Sequence, residues 1–477
     1  MSINKEDRMS KSSKQAQAHC RQTPHKNIPT PASKPLSIVY PHAAGLDIGK
    51  DEIFVAVPPD RDPQPVRAYP TFTPDLIALA DWLQACLIGT VAMESTGVYW
   101  IPIYELLEAR GIKCFLVNAA HLKRVPGRKS DVQDCQWLQQ CHSFGLLAGS
   151  FRPDSEMLQL RTYLRHRAEL IERRSPHVLH MQKVLHQMNL QLDVVLSDIM
   201  GLTGQAILRA ILAGERDPLT LARLRHPNCH SSEETIAKAL TGSYRDDYLF
   251  VLKQSMMMYD FFTDMIAQCD AQVERCFAAI KPRHEIPEQT PAPPVLERKK
   301  RNSHSKNEPS GNTRQHIVRI TGVDFVATIG LSNSLVQTIL SEVGTDMSKW
   351  PTVKHFCSWL GLAPRNEISG GRILRSRTPK VRHRAAQAFR LAAASASHSN
   401  SALGAFYRRL RARIGPAQAM VATAHKIARI FYYMLRDKRP YEQISAQRYE
   451  EQFRVREVKN LQRKAAQLGF TLTPQAA

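Results

Sequence analysis

The sequence predicts a mixed α/β domain followed by α-helical regions, and three observations carry that prediction. Short β-rich runs alternate with helical periods up to about residue 150, two stretches in the middle repeat apolar residues every seven positions, and the C-terminal part is rich in Ala and Arg. At 477 residues the chain has room for two or three domains.

Residues 1–37 are rich in Lys, Ser, Gln and Pro with hardly any large apolar group, and predict a disordered basic tail. From residue 43 two β-rich runs, AAGLDI and IFVAV, flank the turn residues Gly49, Lys50 and Asp51 and predict a strand hairpin. An amphipathic helix from about 75 to 87, the strand TVAMES, a turn at Gly97, a helix to about 109 and the strand IKCFLVN complete a sheet domain over 38–150. In the region 151–281, Leu164, Ile171, Val178, Leu185 and Leu192 recur at seven-residue spacing, with Met181, Met188 and Val195 three residues after the last three. Leu252, Tyr259, Ile266, Val273 and Ile280 repeat the period, seconded by Phe262, Cys269 and Cys276. Two long helices joined by a connector over 197–243 predict an antiparallel coiled-coil hairpin or an oligomerisation arm, with a kink or break at Pro176. Residues 282–313 read as a flexible linker, 314–445 as a helical domain and 446–477 as a basic tail with some helical period.

Charge narrows the function. The 65 Lys and Arg exceed the 43 Asp and Glu by 22, while 43% of residues are hydrophobic, which excludes a wholly disordered chain and points to polyanionic partners. No run approaches the ~20 apolar residues that span a bilayer, and the first 37 residues lack a signal-peptide core, so neither a membrane nor export is expected. Nine cysteines without a CxxC pair read as reduced thiols of a cytoplasmic protein.

Four carboxylates carry the chemistry. Asp47 sits in an apolar strand, where a charge is costly unless it is paired or binds metal. Glu94 ends the strand VAMES just before a glycine turn. In GRKSDVQDCQWLQQ, Ser130 and Gln133 fit a capping box that starts a helix with Asp131 in its first turn, and Asp134, three residues on, shares its face. Two strands and one helix thus offer hard oxygen ligands for one or two Mg²⁺ ions, the pattern of metal-assisted phosphodiester chemistry. The bland alternative makes Asp131 a helix-start anion, Asp134 part of a solvated face, and Asp47 and Glu94 turn-adjacent charges.

The segments GLDIGKDEIFVAV, AMESTGVYW and LVNAAHLKRVPGRKSDVQDCQWL, and later GTDMSKWPTVKHFCSWLGLAPRNEISGGRILRS, resemble the DEDD-type insertion-sequence transposases over about residues 40–450. The resemblance implies an RNase H-like (RuvC-like) N-terminal domain with Asp47, Glu94, Asp131 and Asp134 as the tetrad for Mg²⁺ (or Mn²⁺). It further implies a coiled coil and a C-terminal transposase domain with a serine.

RITGVDFVATIGLSNSLVQTILSEVG reads as two helices around Gly330, similar to a helix-hairpin-helix whose turn grips a phosphate, although Ser332 stands where many such hairpins carry a second glycine. A plain helical hairpin is the alternative. In APRNEISGGRILRSRTPKVRHR, Ser369, Gly370 and Gly371 precede Arg372, Arg375, Arg377, Lys380, Arg382 and Arg384. By residues alone SGG is a surface turn and the basic run a solvated helix face; the resemblance makes Ser369 the nucleophile, with the glycines and Arg372, Arg375 and Arg377 on nucleic acid. No histidine base stands beside it in sequence, so the resemblance implies a composite site in which carboxylate-bound metal, from another subunit, activates the serine.

Other candidates are weaker. Cys135, Cys141 and His142 fit no common zinc spacing, and Met256–Met258 read as packing. Tyr407, Arg408, Arg409, His425 and Lys426 either face nucleic acid or belong to exposed helices. The resemblance implies donor and target DNA as substrates, a bridge-type guide RNA, a dimer or tetramer, and a prokaryotic, nucleoid-associated location. Two alternatives remain at this point: a metal-dependent, structure-specific endonuclease using water, resembling a Holliday-junction resolvase, and a non-catalytic nucleic-acid-binding protein.

Overall fold

The computed structural model describes residues 37–95, 97–118, 131–282, 307–379, 381 and 383–473. The N-terminal tail, Ser130, most of the linker, Lys380 and Arg382 lie outside the described residues. The chain divides into two compact units at Arg152/Pro153.

In the first unit, strands β1 (Ala43–Ile48), β2 (Glu52–Ala56), β3 (Val66–Pro70), β4 (Thr90–Glu94) and β5 (Lys113–Val117) form a sheet of order β3-β2-β1-β4-β5. The β1–β2 and β2–β3 pairs are antiparallel, whereas β1–β4 and β4–β5 are parallel. This mixed sheet fits an RNase H-like domain. β3 is an addition to the sequence reading: its alternation is weak because it is an edge strand ending in Pro70, where a missing N–H costs no ladder bond. Strand alternation sends Leu46, Ile48, Val91 and Met93 into a core with helices α1 (Thr73–Ala85) and α2 (Trp100–Ala109). The opposite face carries Ala92 and Val117 and is covered by α3 (Asp131–Ser143) through Leu138.

In the second unit, α4 (Ser155–Gln187) and α5 (Asp246–Ala279) run antiparallel against each other, with Arg167 on Asp270 and Arg174 on Thr263. The second apolar series behaves as expected, since Leu252, Tyr259, Ile266, Val273 and Ile280 are all buried. The first does not. Leu164, Ile171 and Val178 are only half-buried, and the buried positions seven apart are Leu160, Arg167, Arg174, Met181 and Met188. Apolar spacing misses this seam because two of its members are arginines that pack only by being paired. Asp270 accepts from Arg167 and from Ser310 (N–H 3.2 Å), and Asn307 Oδ1 accepts from Arg174 at 2.7 Å. The helix continues through Pro176 without a break, and the region between the long helices holds short helices at Leu202–Leu212, Pro218–Ala222 and Glu233–Ala239.

Removing Asp270 leaves the Arg167 guanidinium charged and buried without its partner. Asp270→Ala is expected to lower unfolding stability by about 3–5 kcal/mol, whereas Glu169→Ala, which breaks an exposed pair with Arg173, is expected to cost about 0.5 kcal/mol or less. Urea unfolding midpoints of the two variants check the contrast; equal midpoints would contradict it.

The C-terminal part packs α6 (Thr313–Thr321), α7 (Asn333–Val343), α8 (Val353–Trp359), α9 (Arg384–Ser397), α10 (Ala402–Ile414) and α11 (Pro416–Asp437). Its aromatic centre joins Trp350, Phe356, Phe389, Phe431 and Tyr432, whose hydroxyl donates to the Trp350 carbonyl at 3.0 Å. The helix α12 (Ala446–Gln467) buries none of its residues. The region is not purely helical, because β6 (Arg365–Ser369) and β7 (Arg372–Arg377) form a separate antiparallel hairpin. Among the described residues no helix is long and apolar enough to cross a membrane.

Candidate functional site

The acids gather on the α3 side of the first sheet. Leu46 and Met93 are register partners on the core side, so Asp47 and Glu94, one step further along two adjacent parallel strands, share the opposite face. Gly45 lies on that same face, two residues before Asp47, and a Cβ there would overlap the backbone of Cys135 and Gln139. The helix therefore rests flush on β1, and its first turn brings Asp131 and Asp134 toward Asp47. The C-terminal end of α3 is pinned as well: Ser143 O accepts from the backbone of Val39 (2.7 Å) and Tyr40 (2.9 Å), and His142 Nε2 meets Thr90 Oγ1 at 2.9 Å.

Electrostatics report the crowding. The Asp47 carboxyl is pushed up to about 6, first by burial and then by the negative charges of Asp131, Asp134 and Glu94. Among the described residues no three His, Cys, Asp or Glu side chains already form a coordination cage. The acids thus lie within electrostatic reach of one another without a closed ligand geometry. An all-carboxylate donor set with surplus negative charge fits a hard divalent cation, and the residues that would hold it are Asp47, Glu94, Asp131 and Asp134.

Gly45 escapes a reading based on charge, although a glycine inside a β run is itself a sign of close backbone approach. Gly45→Val forces α3 off the sheet and is expected to cost about 1–3 kcal/mol or more and to displace two of the four acids. A lowered thermal midpoint accompanied by loss of DNA cleavage checks this; a native midpoint would contradict it.

Cys135, Cys141 and His142 do not converge as ligands. The Cys135 thiol donates to Val132 O at 3.2 Å and is raised to about 12 by burial, while buried His142, lowered to about 4, stacks on Tyr40 with ring centroids 5.0 Å apart. Met256 is buried, whereas Met257 and Met258 are exposed.

In the second unit, Gly330 has φ +94°, and a Cβ there would overlap the Ala392 carbonyl of α9. Close helix packing explains this glycine, and Ser332 caps α7 by accepting from Leu335 N–H at 3.3 Å. Ser369 is the last residue of β6, paired with Arg372 across Gly370 and Gly371 at φ +54° and +76°. Positive φ at both central residues is the two-residue hairpin turn that glycine supplies without strain. Every residue of both strands is exposed, including Arg372, Arg375, Arg377 and the apolar Ile368, Ile373 and Leu374. Arg372, Arg375 and Arg377 thus lie on an exposed β-hairpin and not on a helix face, Arg384 is the first residue of α9, and Lys380 and Arg382 lie outside the described residues.

Two family models match the chain. One, for a transposase of the DEDD IS110 type, matches residues 44–190, from the strand bearing Asp47 to just beyond α4. The other, described as Transposase IS116/IS110/IS902 family, matches residues 325–408 and contains Gly330 and the Ser369 hairpin. The two matches support an IS110-type DEDD transposase. The chain is a DNA transposase, and its family implies DNA substrates and dependence on a divalent metal; the water-using endonuclease reading is not favoured by these matches. No curated protein matches the chain.

Proposed function

We propose that this transposase mobilises an insertion sequence by attack of the Ser369 hydroxyl on a DNA phosphodiester, assisted by Mg²⁺ held at Asp47, Glu94, Asp131 and Asp134. The observation that carries the reading is the crowding of Asp47 by three further carboxylates, which costs free energy unless a cation offsets it. The cation, when bound, lowers the cost of developing negative charge at phosphate oxygens. In the attack, the Ser369 Oγ–P bond forms as one P–O bond to deoxyribose breaks; the serine loses its proton and the leaving sugar oxygen gains one. Return of a sugar hydroxyl to the same phosphorus reverses the exchange, so phosphodiester bonds are conserved and no nucleotide triphosphate is needed. Arg372, Arg375 and Arg377 flank the serine and can hold phosphates, with Gly370 and Gly371 letting the backbone approach.

A bridge-type RNA pairing with donor and target is part of the proposal, as is a dimeric or tetrameric assembly and the domain division into tail, RuvC-like domain, helical arm, linker and serine-bearing domain. The surplus of 22 positive charges suits several polyanions at once. Phe250, Met257 and Phe261, exposed at helical spacing on α5, suit an arm that packs on another subunit. The test combines purified protein, Mg²⁺, RNA from the element's flank and labelled donor and target DNA, with arms lacking RNA or containing EDTA. Recombinant product lost in both arms supports the reading; product that persists without RNA overturns the guide, and product that persists in EDTA overturns the metal.

A further inference from the structure

The four cations Arg409, Lys426, Arg429 and Arg456 gather where α10, α11 and α12 meet, outside the acid cluster and the serine hairpin. Lys426 is half-buried, with its Nζ 4.3 Å from the Phe406 ring centroid and 4.8 Å from that of Tyr449. The Arg409 guanidinium lies 3.4 Å from the Phe453 ring centroid and 4.9 Å from that of Tyr449, and ion-pairs with Glu450 at 2.7 Å. Burial first, and then the like charges of Arg456, Arg409 and Arg429, lower the pKa of Lys426. Holding these cations together costs free energy in the isolated protein, and a polyanion would recover it.

We propose that this cluster binds the sugar–phosphate backbone of duplex DNA without reading bases. The aromatic rings favour a duplex over a single strand. Phe406, Tyr449 and Phe453 each have Lys426 or Arg409 over the ring, which reduces the aromatic surface offered to unpaired bases, the surface by which single strands are held. What remains open to solvent is charge: Arg429 and Arg456 are both exposed, and α12 buries none of its residues, so it can lie along a backbone. The proposal rests on the assignment as a DNA transposase and is independent of the metal and serine readings.

The test measures binding of the full chain to a labelled 30-base-pair duplex across a salt series in EDTA, so that failure of the metal or serine chemistry does not affect it. Arg429→Gln combined with Arg456→Gln changes only exposed side chains and is compared with Arg429→Lys combined with Arg456→Lys. The expected result is roughly a tenfold weaker affinity at moderate salt for the Gln pair, equal on unrelated sequences, and a log–log salt slope shallower by about 2, with the Lys pair close to wild type. An unchanged slope, a loss confined to one sequence or to single-stranded RNA or DNA, or an equal loss in the Lys pair would overturn it.

Discussion

Ser369→Ala is expected to abolish transposition, by roughly a thousandfold or more, while duplex binding stays within about twofold of wild type. The asymmetry follows from where the serine stands. It is exposed at the end of β6 beside a Gly-Gly turn, so losing one oxygen removes no packing, and the hairpin keeps its register through Ile368–Ile373 and Asn366–Ser376. The hairpin is not held together by a core either, since Ile368, Ile373 and Leu374 face solvent and an isolated two-stranded hairpin is marginal in water. Such an element is suited to being ordered by what it touches. Transposition assayed beside equilibrium binding checks the split; residual recombination within tenfold of wild type would remove Ser369 from the chemistry.

Asp47→Asn is expected to abolish cleavage and yet to stabilise the metal-free protein. The Asp47 carboxyl is raised from 3.8 to about 6 by burial and by Asp131, Asp134 and Glu94, so ionising it in the folded state is costly. Because the folded value lies above the unfolded one, the stability that its neutral form provides is complete below about pH 4 and is lost as pH rises through 6. Discounted for a half-exposed group, the cost at pH 8 is about 1–2 kcal/mol, and the neutral amide avoids it. In EDTA the variant's thermal midpoint is therefore expected above wild type at pH 8 and level with it at pH 4. A midpoint at or below wild type at pH 8 would contradict the crowding on which the metal reading depends.

Much of the sheet was legible because β1, β2, β4 and β5 alternate or run apolar between turn residues, and the acids were legible because charge in an apolar strand demands a reason. What escaped did so for physical causes. β6 and β7 bury nothing, so they carry no alternation toward a core, and their arginines resemble a solvated helix. Arg167 and Arg174 occupy seam positions that apolar spacing assigns to hydrophobic residues, because Asp270 and the returning segment at Asn307–Ser310 compensate them. Gly330 reads as a phosphate turn from sequence, and the packing that also requires a glycine there, against the Ala392 carbonyl, has no signal in the local residues. Gly45 has no charge to mark it, although it sets the distance between α3 and β1 and hence between the acids.

The most direct measurement is to trap the reaction with Mg²⁺, digest the protein with trypsin and sequence the peptide that stays joined to labelled DNA. The expected peptide is the hairpin fragment Asn366–Arg372, linked through Ser369 and absent from the Asp47→Asn protein. Cleaved DNA ends free of any peptide, or a linkage at another residue, would contradict serine attack.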